Sequence, residues 1–351
     1  IIVGGAEGQG VVVVYSGGSG DEIARFAGNA GEGFGAAVSA VDDLDGDGLQ
    51  EALIGVPDAS QPRVTIHSTA SGQTLRVFFG ENPGDRFGAA VAQQGDIDGD
   101  GSPEILVGAP GFDLFGQNGG RVYSMDADTG AIRWTNDGAD GAGYGSAIVT
   151  GDVLFGDGAL DILVGSPNDP GFADNGAGRV FLYQATGELF QIYTGFEDQS
   201  QLGSSMALIG DLDGDGIAEF AAGSPGDNAG RGSVSIFSGH SSALLQFTTG
   251  RIPGARFGAS VAAAGDIDRD GTPDVLVGAP FDGGSSGAVF AIGLGSASTP
   301  VRATYRAENP TDRFGSSLAS IGDVNGDGKR EFVAGAPGSP RASNGGGAAY
   351  L

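Results

Sequence analysis

An aromatic or leucine residue followed by glycine returns six times along the chain, at Phe34, Phe87, Tyr144, Leu202, Phe257 and Phe314, at intervals of 53, 57, 58, 55 and 57 residues. A glycine–small–proline triplet follows each one: Gly55-Val56-Pro57, Gly108-Ala109-Pro110, Gly165-Ser166-Pro167, Gly223-Ser224-Pro225, Gly278-Ala279-Pro280 and Gly335-Ala336-Pro337. A fixed period of this length means that one supersecondary unit is stacked on copies of itself, because a single unit cannot bury its own apolar face. Each unit reads as four short strands. In the unit that opens at Phe87, the spacing predicts strand A from Phe87 to about Gln94, strand B over Glu104–Gly108, strand C over Gly120–Met125 and strand D over Ile132–Thr135. These runs are β-branched or aromatic and bounded by Gly, Asp and Pro, the residues that punctuate strands. No window sustains a 3.6-residue apolar period, so helix content should be near zero.

The ends fix the count. Ile1–Gly5 resembles strand B, Val11–Ser16 strand C and Glu22–Ala27 strand D, while Phe314 onward supplies A, B and C. Five complete units and two three-stranded pieces, about 1–30, 34–80, 87–137, 144–195, 202–250, 257–307 and 314–351, make seven. The expected fold is therefore all-β: one seven-bladed β-propeller of four-stranded antiparallel blades, whose radial closure leaves only short protected edges.

Composition removes several functions. With 44 acids against 17 bases the net charge is −27, so phosphate-rich nucleic acid and anionic membrane surfaces are poor partners. Cysteine is absent, so no disulfide or thiolate site can form. No apolar run approaches the ~18 residues of a membrane span, so membrane insertion is not expected. The sequence starts at Ile1 without a basic-plus-apolar leader, so a signal peptide is not expected within it.

Nineteen of the 44 acids fall into five turns between strands A and B that share the pattern Asp-x-Asp/Asn-x-Asp-Gly-x-x-Asp/Glu. The side chains are Asp43, Asp45, Asp47 and Glu51; Asp96, Asp98, Asp100 and Glu104; Asp211, Asp213, Asp215 and Glu219; Asp266, Asp268, Asp270 and Asp274; and Asp323, Asn325, Asp327 and Glu331. Like charges at this density oppose folding unless a cation is bound. Oxygens at positions 1, 3 and 5 converge if the turn is tight, which the glycine at position 6 permits. The position-7 carbonyl (Leu49, Ser102, Ile217, Thr272, Lys329) can add a ligand, and the acid at position 9 closes the shell. An all-oxygen shell suits Ca²⁺, whereas Mg²⁺ prefers to keep its waters and zinc wants His or Cys. The closing acid at position 9, at the start of a strand, separates these turns from the helix-flanked twelve-residue EF-hand loop. About five calcium ions are expected. The turn from Asp152 to Asp161 carries one extra residue and apolar side chains in place of its middle ligand, so it should be empty or weak.

Taken together, these motifs resemble the FG-GAP repeat family, found in the integrin α-subunit head and in many bacterial surface and secreted proteins. The resemblance covers nearly the whole chain. It implies an integrin-α-like propeller, extracellular or at a cell surface and of the bacterial secreted or surface type, with calcium in the A–B turns of one face. It also implies that a partner meets the opposite face, formed by B–C and D–A loops. Tyr144 and Leu202 in place of Phe, the aberrant third turn and Asn325 depart from the pattern.

The strongly unequal B–C loops offer Phe112, Asp113, Phe115, Phe172 and Phe281 as a candidate ligand face. Such asymmetry favours one protein ligand over a surface glycan, since a lectin propeller would repeat an aromatic platform and Trp134 has no repeated counterpart. No residue stands out as catalytic. His67 and His240 are the only histidines, no Gly-x-Ser-x-Gly elbow precedes a helix, and the paired carboxylates are committed to metal. A hydrolase or lyase is thus the remotest alternative to an adhesion or protein-interaction module, with a carbohydrate-binding propeller between them.

Overall fold

The computed structural model describes residues 1–6, 8–113, 118–170, 176–295, 301–340 and 347–351. It forms seven antiparallel sheets around an axis, a seven-bladed β-propeller, with four strands in each of the five middle blades and three in the first and last. Strand order within every sheet follows the chain. Blade 3 shows the plan, with strands Ala90–Gly95, Glu104–Ala109, Arg121–Asp126 and Ile132–Asp137. Blade 1 holds Ile2–Gly5, Val11–Tyr15 and Glu22–Ala27, which are B, C and D as the sequence implies. Blade 7 holds Leu318–Gly322, Glu331–Ala336 and Ala348–Tyr350. Among the described residues the only helical pieces are turns at Asp227–Gly230 and Asp282–Gly284, each interrupted by left-handed backbone.

The A strands of successive blades pack against one another, which places them innermost. The B strands of blades 2 to 6 are buried at every position, explaining why they read as unbroken apolar runs. D strands form the rim and alternate in exposure, as in Thr74–Phe79. Between blades 7 and 1, Val324 lies against Gly17, the same meeting of an A–B turn with the next blade's C–D turn that Val153 and Gly239 make between blades 4 and 5.

The core is distributed around the ring. Six apolar clusters each bridge two adjacent blades. Phe87 belongs to one that joins Val64 and Ile66 of blade 2 to Ile105 and Val107 of blade 3. It also meets Tyr123 edge-on at 5.2 Å, as Tyr144 meets Phe181 and Phe314 meets Tyr350. The repeated aromatic is thus an inter-blade plug.

The glycines after and before it explain the two repeated motifs. Gly88 donates its N–H to the carbonyl of Gly108 in its own blade at 3.0 Å. Its carbonyl oxygen faces Gly55 of the preceding blade so closely that a Cβ there would come within 1.9 Å. The same approach recurs between Gly108 and Gly145 and between Gly165 and Gly203, each at 2.1 Å.

His67 is part of this core rather than a site. It is buried, 4.6 Å from the Phe26 ring, and bonded through its two nitrogens to the hydroxyls of Thr65 and Thr74. Burial pushes its pKa down to about 4. An imidazole that protonates less readily in the folded than in the unfolded chain stabilises the fold above the unfolded value near 6.5. That contribution disappears as pH falls toward 4. The stability difference between the wild type and His67→Gln should therefore shrink by up to about 3 kcal/mol between pH 7 and pH 4, read from urea midpoints. A difference independent of pH would show that the imidazole stays hydrated.

Candidate metal centres

Each A–B turn is built by its own acids. The first aspartate uses both oxygens: Asp96 accepts the N–H groups of Gly99 at 2.7 Å and Gly101 at 3.0 Å, and Asp211 does the same for Gly214 and Gly216. One oxygen of the third-position residue accepts the N–H of position 5, as Asp98 does from Asp100. One oxygen of position 5 accepts the N–H of position 7, as Asp100 does from Ser102. The closing acid accepts the N–H of position 2, from Leu44 to Glu51 at 3.1 Å and from Ile97 to Glu104 at 2.8 Å. Glycine is required at position 6, where Gly48 has φ 87° and Gly101 φ 92°.

These bonds hold the carboxylates close together. Asp43, Asp45 and Glu51 bring ligand atoms within 4.8 Å of one another, as do Asp96, Asp98 and Glu104; Asp211, Asp213 and Glu219; Asp266, Asp268 and Asp274; and Asp323, Asp327 and Glu331. Asp47, Asp100, Asp215 and Asp270 fall outside these trios and serve the turn through their Oδ1 atoms. Leu49, Ser102, Ile217, Thr272 and Lys329 each donate their N–H to the position-5 side chain. In the last turn the amide of Asn325 donates to Glu331 Oε1 at 2.9 Å.

The closing acids carry the test of what fits. Glu51 is 1% exposed and Asp274 0%, yet Oε2 of the first and Oδ1 of the second have no hydrogen-bond partner. Burial raises both pKa values. It pushes Glu219 up to about 7, with the charges of Asp213 and Asp215 adding to the effect. A bare buried carboxylate oxygen facing two further carboxylates is the donor set of a hard divalent cation, so the residues fit a calcium ion.

The turn of blade 4 keeps the backbone pattern and drops the charge. Asp152 still accepts the N–H groups of Gly156 at 2.9 Å and Gly158 at 2.7 Å, and Asp161 those of Val153 and Leu154. Where the third-position carboxylate would stand, Leu154 is fully buried against Phe220 and Phe237. His240 of blade 5 donates Nδ1–H to the Leu154 carbonyl at 2.8 Å, tying the turn to its neighbour. Among the described residues, no converging cluster includes Asp152, Asp157 or Asp161.

The sequence did not flag His240 as this staple, nor Arg133 and Arg302, whose guanidinium groups enter the acidic turns of blades 3 and 6. Both arginines are the second residue of strand D, a place that only strand pairing brings over the turn.

At the opposite face, Phe112 is 4% exposed and lies under the Arg121 guanidinium at 3.8 Å, so it anchors its loop. Phe281 is half-buried beneath Arg256, and Asp113 is exposed. Phe115 and Phe172 lie outside the described residues.

Seven blades, five of them carrying converging acidic A–B turns, define a repeat propeller of the integrin α type. The FG-GAP-like repeat model matches residues 211–277, and the FG-GAP repeat model matches 87–125 and 314–351. The chain is 34% identical to human integrin alpha-IIb over 204 residues, which cover 53% of this chain and 19% of that one. It is 30% identical to chicken integrin alpha-V over 253 residues, covering 68% of this chain and 19% of that protein. The chain therefore spans about a fifth of the length of these relatives. Among solved structures, yeast (Saccharomyces cerevisiae) Sqt1 superimposes with a TM-score of 0.60 at 10% identity, over 94% of this chain and 76% of Sqt1, a likeness of fold alone. The chain belongs to the integrin-α-like FG-GAP repeat family. No helix among the described residues is long and apolar enough to cross a membrane.

Proposed function

We propose that this chain is a calcium-binding extracellular propeller that serves as an adhesion or protein-interaction module, its blades stiffened by about five ions so that the opposite face can hold one partner. The observation that carries the reading is the pair of buried oxygens on Glu51 and Asp274, each without a hydrogen-bond partner and each on an acid that converges with two further aspartates. The relatives are named integrins, and it is by that kinship that a protein partner is inferred. A glycan partner is less favoured because Trp134 is half-buried with Gly187 of the next blade packed on its indole, which closes it as a sugar platform.

Equilibrium dialysis against calcium should give five ions per chain, with Asp152→Asn leaving that number unchanged and Glu51→Gln lowering it by one. A sixth ion lost on Asp152→Asn would overturn the assignment of the blade 4 turn. Set beside it, a glycan array and a pull-down with the calcium-loaded propeller separate the partner classes. Strong glycan retention without any protein captured would put the sugar partner ahead of the protein one.

A further inference from the structure

The five acidic turns are nearly identical in sequence but not in what faces them. In blades 3 and 6 the second residue of strand D reaches the turn. Cross-strand pairing of strand C with strand D sets this register: Met125 opposes Ile132, Ile292 opposes Val301, His67 opposes Thr74 and Phe237 opposes Leu244. The next residues, Arg133, Arg302, Leu75 and Leu245, are thus equivalent. In blade 4 the same position holds Phe190, whose ring meets Phe155 of the charge-poor turn edge-on at 5.8 Å.

The arginines take the oxygens that the backbone leaves free. Asp98 and Asp100 spend Oδ1 on the turn, and Arg133 binds their Oδ2 atoms at 2.6 and 2.8 Å. Its Nε donates to Glu104 Oε1 at 2.9 Å, the position left bare on Glu51 in blade 2. In blade 6, Arg302 binds Asp268 Oδ2 at 2.5 Å and Asp270 Oδ2 at 3.2 Å but does not reach Asp274, whose Oδ1 stays unpartnered. Among the described residues no lysine or arginine pairs with the acids of the turns in blades 2, 5 and 7.

We propose that Arg133 and Arg302 are tethered counter-cations that compete with the divalent ion for the same carboxylate oxygens, dividing the five turns into two classes. Blades 2, 5 and 7 depend on the metal; blades 3 and 6 hold their shape without it and bind it more weakly. The inference rests on the calcium reading above and deepens it. A guanidinium is always charged and forks onto two carboxylates at once, so it neutralises a turn continuously, whereas the leucines at the equivalent positions carry no charge to offer.

Calcium titration by calorimetry, with cation-free thermal melts in parallel, tests this on the intact chain. The wild type should show three tighter and two weaker sites. Arg133→Leu combined with Arg302→Leu, copying blades 2 and 5, should tighten the weak pair by roughly ten- to hundredfold. The same change should lower the melting temperature without cation more than with it. The reverse graft, Leu245→Arg, should move one tight site into the weak class and serves if the double variant folds poorly. Five equal sites, unchanged in either variant, would overturn the competition while leaving the calcium reading intact. Weaker binding after arginine removal would do the same, by making the arginines supports of the ion. A wild type that binds no calcium would remove both.

Discussion

Chelating divalent cations with EDTA should lower the melting temperature of this protein by roughly 5–10 °C, and millimolar calcium should restore it. A ligand that binds only the folded state stabilises by RT ln(1 + [L]/Kd). For extracellular calcium modules, with dissociation constants on the order of 10⁻⁴–10⁻³ M, about 2 mM calcium contributes roughly 0.6–1.8 kcal/mol per site. Five sites in a chain of 351 residues give the range stated, given an unfolding entropy near 2 cal/mol/K per residue. The effect has a pH signature. Without metal, burial holds Glu219 at a pKa of about 7, above its unfolded value. The cation-free fold thus binds an extra proton in the window between about 4.5 and 7, and its stability falls as pH rises through that window. Calcium replaces the proton, so the calcium increment should grow from pH 5 to pH 7 and then flatten. A melt that does not change in EDTA at pH 7.5 would exclude a structural role for the ions.

What the sequence disclosed is what recurs in it. Blade count, the strand identities of the two end pieces and the acidic turns all rest on residues repeated six or five times, and repetition turns a weak local signal into a strong one. The blade 4 turn was legible for a related reason: Leu154 stands where every other turn has Asp or Asn. The single-copy residues were not legible. Arg133 and Arg302 lie 29 and 28 positions beyond the closing acids they overlook, and only pairing across two strands brings them there. Phe112 looked like a candidate contact because an aromatic in a long loop is ambiguous. Its burial is decided by the inter-blade apolar cluster it joins and by Arg121, at the start of the next strand, whose guanidinium covers the ring. The division of labour among carboxylate oxygens was equally hidden, since Asp98 and Asp100 are the same residue type and only Asp98 joins the converging trio.

Gly108→Ala should be among the most damaging single-methyl changes available in this chain, costing about 3 kcal/mol or more. Overpacking a closed interior typically costs 1–3 kcal/mol, when side chains can still shift. Here the obstacle is backbone. The added Cβ would stand 2.1 Å from the carbonyl oxygen of Gly145, and that oxygen belongs to the residue whose N–H bonds Gly165 at 3.0 Å. Relieving the clash means moving blade 4 away from blade 3, which opens the cluster that holds Leu106, Val122, Tyr144 and Ile162. Gly55→Ala and Gly165→Ala meet the same obstacle at 1.9 and 2.1 Å and should behave alike, because each junction repeats the geometry. Gly18→Ala, on an open turn with nothing within 4 Å, should stay within about 0.5 kcal/mol of the wild type. Urea denaturation in saturating calcium separates this effect from metal loss. If Gly108→Ala proves as mild as Gly18→Ala, the glycine-to-glycine approach is not what sets the spacing of the blades, and the repeated Gly-Ala-Pro motif needs another cause.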